Sequence, residues 1–192
     1  KNQDYTVYIK YVARPNEVKQ QGSAAINDAK GLYFINAQGK DADKPTQIWT
    51  QGETESSSCW FPTIDKPNQK TTQEIYMTVP KQYVTLSNGI LKSSENLGEN
   101  LRTDHWVMDK KHAPYLFFMG VGEYAVIKDK WRNIDVDYYV EKEYEPYAKQ
   151  IFGNTPEMIE FFSKKLNYDF PWQKYAQIVG RDYVSGAMEN TT

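Results

Sequence analysis

Short runs of alternating apolar and polar residues, each closed by a turn signal, recur along most of this chain and leave few folds open. Period two sends successive side chains to opposite faces of a strand. Tyr5, Val7, Ile9 and Tyr11 alternate with Thr6, Tyr8 and Lys10, which predicts a half-buried strand. Ile75, Met77 and Val79 share one face of a run over Thr72–Val79 that Pro80 closes. Leu32–Ile35, Thr46–Trp49, Tyr83–Leu86, Ile90–Lys92, Arg102–Met108, Tyr115–Met119, Glu123–Lys128 and Ile134–Val140 read as further strands. Ser87-Asn88-Gly89 lies between two of these runs, and Asn-Gly there is the strongest hairpin signal in the chain. The spacing of turns predicts a mainly β fold over residues 1–142: an antiparallel β-sandwich, or stacked antiparallel sheets.

The character changes near Glu141. Glu143–Tyr147 is charged and interrupted by Pro146, a candidate boundary. Thr155 as N-cap, Pro156 at the first position and Glu157 in the first turn predict a helix start. Met158, Ile159, Phe161, Phe162 and Leu166 then form an apolar stripe at helical spacing, with Lys164 and Lys165 at the favourable end. A strand over Tyr175–Val184 follows, so residues 143–192 read as the start of an α/β unit. That unit is too short for a core of its own. It is expected to pack on the β domain or to be completed by further residues.

Composition removes several function classes. Lys and Arg total 23 against 25 Asp and Glu, with neither sign in blocks, so no nucleic-acid partner is expected. No apolar run is long enough to span a membrane as a helix. The single cysteine, Cys59, excludes an internal disulfide, is neutral on compartment, and sits in an apolar run where a thiol is inert. His105 and His112 are read on a strand and the loop after it, positions seven apart face opposite ways even on an uninterrupted strand, and no His-Glu-x-x-His string occurs, so no metal site is expected. Ser185 has no adjacent base that would make it a nucleophile.

The last residues, Ser185–Thr192, are of another kind. Gly186 and Ala187 leave a backbone that a second chain can approach, and Met188 and Glu189 follow with an apolar surface and an anionic acceptor. On residue types alone, two readings fit. One is an edge strand ending in a small-residue turn with a solvated Glu. The other is a strip that docks an extended peptide with its positive end at Glu189.

The literal string Gly186-Ala187-Met188-Glu189-Asn190 resembles the GAMEN motif of the aminopeptidase N family of zinc metallopeptidases. The resemblance continues upstream in order. Glu53 through the Phe61-Pro62 turn with Asp65 and Pro67, Thr78–Lys81, Leu86–Gly89, Tyr115–Phe118 and Tyr168–Trp172 all fit, so it covers about residues 46–192. It implies part of an N-terminal β domain followed by the opening of a thermolysin-like catalytic domain. It also implies roles. Glu189 and Glu53 would bind the free α-ammonium of a peptide. Gly186 and Ala187 would present backbone to the substrate, and Gln51 and Met188 would lie beside the pocket for its first side chain, with Ser185 lining it.

Two carboxylates facing one ammonium give charge-assisted hydrogen bonds, and an internal peptide would leave both unpaired. Asp65, bracketed by prolines, reads as a structural turn acceptor. The family's zinc ligands lie downstream of GAMEN and are absent here. The chain, which begins with Lys, is therefore expected to be an excised piece that holds no zinc and hydrolyses nothing. Its expected partners are a peptide with a free N-terminus and the rest of its own catalytic domain. The rival expectation is a non-catalytic β-sandwich module that binds peptides or glycans as a scaffold. A relative with epoxide hydrolase activity on the same scaffold is a third.

Overall fold

The computed structural model describes residues 3–18, 26 and 28–191. Among them, alternating runs pair into three sheets. The first joins β1 (Leu32–Ile35), β2 (Gln47–Thr50), β4 (Val84–Ser87) and β7 (Met119–Gly122) in the antiparallel order β1-β2-β7-β4. The second joins β3 (Thr71–Pro80), β5 (Ile90–Leu97) and β6 (Leu101–His112) in the order β3-β6-β5. The third joins β8 (Tyr124–Trp131), β9 (Ile134–Glu141) and β10 (Lys174–Ile178) in the order β10-β9-β8. Here β8 and β9 form a hairpin, whereas β10 runs parallel to β9. A parallel pair needs a crossover connection. Two helices supply it, α1 (Glu145–Phe152) and α2 (Thr155–Leu166). The fold is mainly β, as the alternation predicts.

Burial along β3 shows why the pattern works. Gln73, Met77 and Val79 point inward, and Glu74, Tyr76 and Thr78 point out. Met77 and Val79 join Tyr33, Trp49, Leu86, Trp106, Phe118, Val121, Tyr124 and Tyr139 in one core contributed by all three sheets. Burying each large apolar side chain contributes about 1.5–3 kcal/mol. A second cluster, Trp131, Val136, Tyr138 and Ile159, seats the helices on the third sheet. A third, Leu32, Trp60 and Phe117, closes the loop after β2.

One carboxylate lies inside this framework with its bonding capacity filled. Asp104 on β6 is 2% exposed and accepts from Arg102 Nε (3.0 Å), Ser94 Oγ (2.6 Å) and Thr85 Oγ1 (2.7 Å). Burial pushes its carboxyl up, but hydrogen bonds from Arg102, Ser94 and Thr85, with the Arg102 charge, outweigh burial and hold it below the ordinary range.

Several expectations are corrected. Among the described residues the run Tyr5–Tyr11 forms no strand, and Tyr5, Val7, Ile9 and Tyr11 are all exposed. Alternation has no consequence where no neighbouring strand supplies hydrogen bonds. Ser87-Asn88-Gly89 is not a hairpin. β4 pairs with β7 and β5 with β6, so the chain changes sheets at Asn-Gly. Gly89 has φ +74°, and a Cβ there would collide with the Val107 carbonyl. The hairpin partner of β5 is β6, reached through Gly98 (φ +66°). Tyr115 belongs to a 3-10 turn, Pro114–Leu116, and the strand begins only at Met119. His112 ends β6 rather than lying in the loop after it.

The second unit differs in detail. Helix α1 begins within the charged stretch at the expected boundary, with Pro146 in its first turn. Asn154, not Thr155, is the N-cap residue of α2. Thr155 instead places its hydroxyl 2.7 Å from the Phe152 carbonyl and 2.8 Å from Gln177 Oε1. Of the apolar stripe, Ile159 alone is buried; Met158, Phe161, Phe162 and Leu166 are exposed. β10 stops at Ile178, short of the strand expected to reach Val184. The position expected to divide the chain, after residue 142, lies between two strands of the third sheet.

Candidate functional site

Three short segments meet around the end of the described chain. The first leaves β2 as Gln51-Gly52-Glu53. Gln51 is fully buried, and Glu53 is half-buried in a loop whose Glu53–Thr54 bond is cis. The second is the Pro114–Leu116 turn. The third is the tail from Ser185 to Thr191, irregular in backbone and with no backbone–backbone hydrogen bond among the described residues. Backbone donors and acceptors left unpaired in this way are available to an extended chain.

Side chains knit the first two segments together. Ser57 Oγ donates to the Pro114 carbonyl (2.8 Å). Gly52 lies so close to Tyr115 that a Cβ would collide with its carbonyl oxygen, which is why only glycine fits there. The tail is tied in as well. Gln51 Nε2 lies 3.5 Å from Met188 Sδ across 137 positions of sequence. Asn190 Nδ2 donates to the Leu116 carbonyl (3.3 Å). Arg181, at the root of the tail, is fixed by its backbone N–H to Gln47 Oε1 (2.9 Å) and by its guanidinium to Glu141 (2.9 Å).

Glu53 and Glu189 are brought into the same electrostatic neighbourhood. The Tyr115 phenol is pushed up by burial and then by the negative charges of Glu189 and Glu53. Burial pushes Tyr183 up further, with Tyr33, Glu189 and Glu53 adding to it. Two carboxylates far apart in sequence thus act on the same two phenols. Among the described residues, neither carboxylate has a hydrogen bond or ion pair. Their acceptor sites are open to a cation.

The other sequence candidates take the following places. Met188 lies against Gln51. Gly186 and Ala187 are exposed, and a Cβ on Gly186 would meet no atom within 4 Å, so this backbone faces open space. With Met188 they rim a cavity of about 380 Å³ floored by Trp49, Phe118 and Ile178. Ser185 sits in a half-buried bend, and no hydrogen bond joins it to the other candidates among the described residues. Asp65 accepts from the Ser58 backbone N–H (2.8 Å), in keeping with a turn residue. Tyr115, Tyr183 and Asn88 were not singled out as site residues in the sequence. Pro114 is the one local signal that could have marked the turn bearing Tyr115.

No group of three His, Cys, Asp or Glu side chains suited to a metal occurs among the described residues. His105 is bound to Glu74 (2.8 Å) and stacked on Tyr76. His112 is buried against Phe117, and burial pushes its imidazole down to about 4. These histidines fit no zinc ligand set.

With this geometry in view, the comparisons with known proteins agree on a class. Residues 1–116 match the Peptidase M1 N-terminal domain. The chain belongs to the peptidase M1 family. It is 25% identical over 187 residues to mouse endoplasmic reticulum aminopeptidase 1, covering 97% of this chain and 19% of that protein. It is 28% identical over 131 residues to mouse glutamyl aminopeptidase, covering 68% of this chain and 14% of that protein. Zebrafish transcription initiation factor TFIID subunit 2 is 22% identical over 151 residues, covering 77% of this chain and 13% of that protein. The chain therefore spans less than a fifth of the length of each of these relatives.

Proposed function

We propose that this chain supplies the amino-terminus recognition of a zinc aminopeptidase that removes N-terminal residues from peptides. Glu53 and Glu189 hold the α-ammonium. Gly186 and Ala187 offer backbone to the peptide main chain, while Gln51, Met188 and Ser185 border its first side chain. In this reading residues 1–142 are part of the N-terminal β domain and residues 143–192 open the catalytic domain, whose remaining residues are the chain's intramolecular partner. One observation carries the proposal: among the described residues neither Glu53 nor Glu189 has a hydrogen bond or ion pair, while the charges of both raise the Tyr115 and Tyr183 phenols.

The physics follows from that pair. A hydrogen bond to a charged group is worth about 1.5–3 kcal/mol, and an ammonium can satisfy both carboxylates at once. An acetylated or internal peptide brings no charge and leaves them unpaired, which gives preference for a free terminus. Zinc supplies the activated water in this family. The histidines of this chain fit no zinc site, so the 192 residues alone are expected to show no turnover.

The test has two parts. The gene read past Thr192 should encode His-Glu-x-x-His within a few dozen codons; its absence would end the enzyme reading. The full chain should cleave a free-amine peptide and spare its acetylated twin, and Glu189→Gln and Glu53→Gln should each erode that preference. A second reading, a scaffold without chemistry, is favoured by the similarity to a relative named as a transcription factor subunit. An intact preference for free amines with no hydrolysis would select it.

A further inference from the structure

Asn88, the residue that reads as a hairpin turn, does something else. It is 1% exposed, and its side chain makes no bond within its own turn among the described residues. A residue that merely turns the chain bonds to its own neighbouring backbone. Asn88 reaches two other segments instead. Its Nδ2 donates to the Leu116 carbonyl (2.9 Å) and to the Thr191 carbonyl, and its Oδ1 accepts from the Phe118 N–H (2.6 Å). An amide side chain offers two donors and an acceptor oxygen, and all are used here.

These partners are the turn beside Glu53 and the tail that carries Glu189. On the turn's far side, Gly52 and Ser57 hold Tyr115 and Pro114. On the tail, Asn190 adds its own bond to the same Leu116 carbonyl. The corner itself cannot drift. Gly89 is wedged under the Val107 carbonyl, and Lys174 Nζ donates to the Ser87 carbonyl (2.8 Å).

We propose that Asn88 is a positioning residue for the amine site, setting the tail that bears Glu189 in register with the turn that faces Glu53. This rests on the assignment of Glu53 and Glu189 as the ammonium acceptors. Asn88 touches no substrate. It fixes the separation of the two carboxylates, and with it the selectivity for an ammonium over a neutral amide.

The experiment measures binding of leucinol and N-acetylleucinol, which have no scissile bond, to the full chain as its gene encodes it. The readout is the ratio of the two affinities. Asn88→Ala should lower the ratio at least tenfold, and Asn88→Ser, which keeps a short donor, by less. Val136→Ala, buried in the separate cluster under the helices, should lower the melting temperature and leave the ratio unchanged. A folded Asn88→Ala with its ratio within twofold of the parent overturns the proposal, as does an equal loss in Val136→Ala. If Asn88→Ala does not fold, an unchanged ratio in Asn88→Ser overturns it. Glu189→Gln and Glu53→Gln separate the two levels. If they collapse the ratio and Asn88→Ala does not, only the positioning role fails. If they leave it unchanged, the amine-site assignment fails with it.

Discussion

Asp104 and the pair Glu53 and Glu189 are carboxylates in opposite circumstances. Asp104 is buried in the framework and receives hydrogen bonds from Arg102, Ser94 and Thr85. Glu53 and Glu189 stand at the margin of the fold, with no hydrogen bond or ion pair among the described residues. A fully satisfied anion has nothing left to offer a ligand, and its worth is structural. An unsatisfied anion contributes little to the fold and keeps its acceptors for something else. Satisfaction, more than residue type, separates the two roles.

The sharpest test removes the satisfied one. Asp104→Ala strands Arg102 and should cost about 3–5 kcal/mol in urea unfolding, with no change in preference for a free amine. A loss of amine preference would break the division. The pH dependence follows the same logic. The folded carboxyl titrates below its unfolded value, so its stabilisation is present above about pH 4 and is lost as pH falls through the lower folded value. Asp104→Asn should flatten that acid limb of the stability curve.

Next in size are the open carboxylates. Glu189→Gln and Glu53→Gln should weaken free-amine binding about 10- to 100-fold and move stability by no more than about 0.5 kcal/mol. A large loss of stability would place them with Asp104.

Lys174 is an intermediate case. It is 6% exposed and donates to the Ser87 carbonyl; burial pushes its ammonium down to about 7 against the opposing pull of Asp137. The unfolded chain binds this proton more tightly, so stability should rise between pH 7 and 9. Lys174→Met should remove that slope, as read by melting temperature across the interval. The smallest effect belongs to an exposed neutral pair. Thr78→Ala breaks the 2.9 Å contact with Thr103 and should cost at most about 1 kcal/mol.

How far the molecule could be read from its letters depended on whether a segment's partner was local. β3 was legible because alternation and a closing proline specify both strand and face; β8 and β9 were legible as strands, but β9 is buried on both faces from Val136 to Glu141. Tyr5–Tyr11 has the same alternation and stays exposed, because pairing is a property of two segments. The exposed stripe on α2 teaches the same lesson for a helix. Asn88-Gly89 misled because Gly supplies positive φ equally well to a hairpin and to a corner between sheets. At the site, Glu53 and Glu189 stood out through the resemblance their neighbours carry. Tyr115, Tyr183 and Asn88 did not, since only the folded chain shows what they face.

The parallel pairing of β10 with β9 also has a kinetic meaning. The β8–β9 and β5–β6 hairpins close over short loops, whereas β10 must wait for the crossover through α1 and α2, and the tail for contacts spanning more than a hundred positions. Loops of that length close late. A folding intermediate can thus own all its hairpins and still lack the amine site. A ligand that grips Glu53 and Glu189 together recognises only the finished molecule and stabilises it by mass action, so its binding marks the last step of assembly.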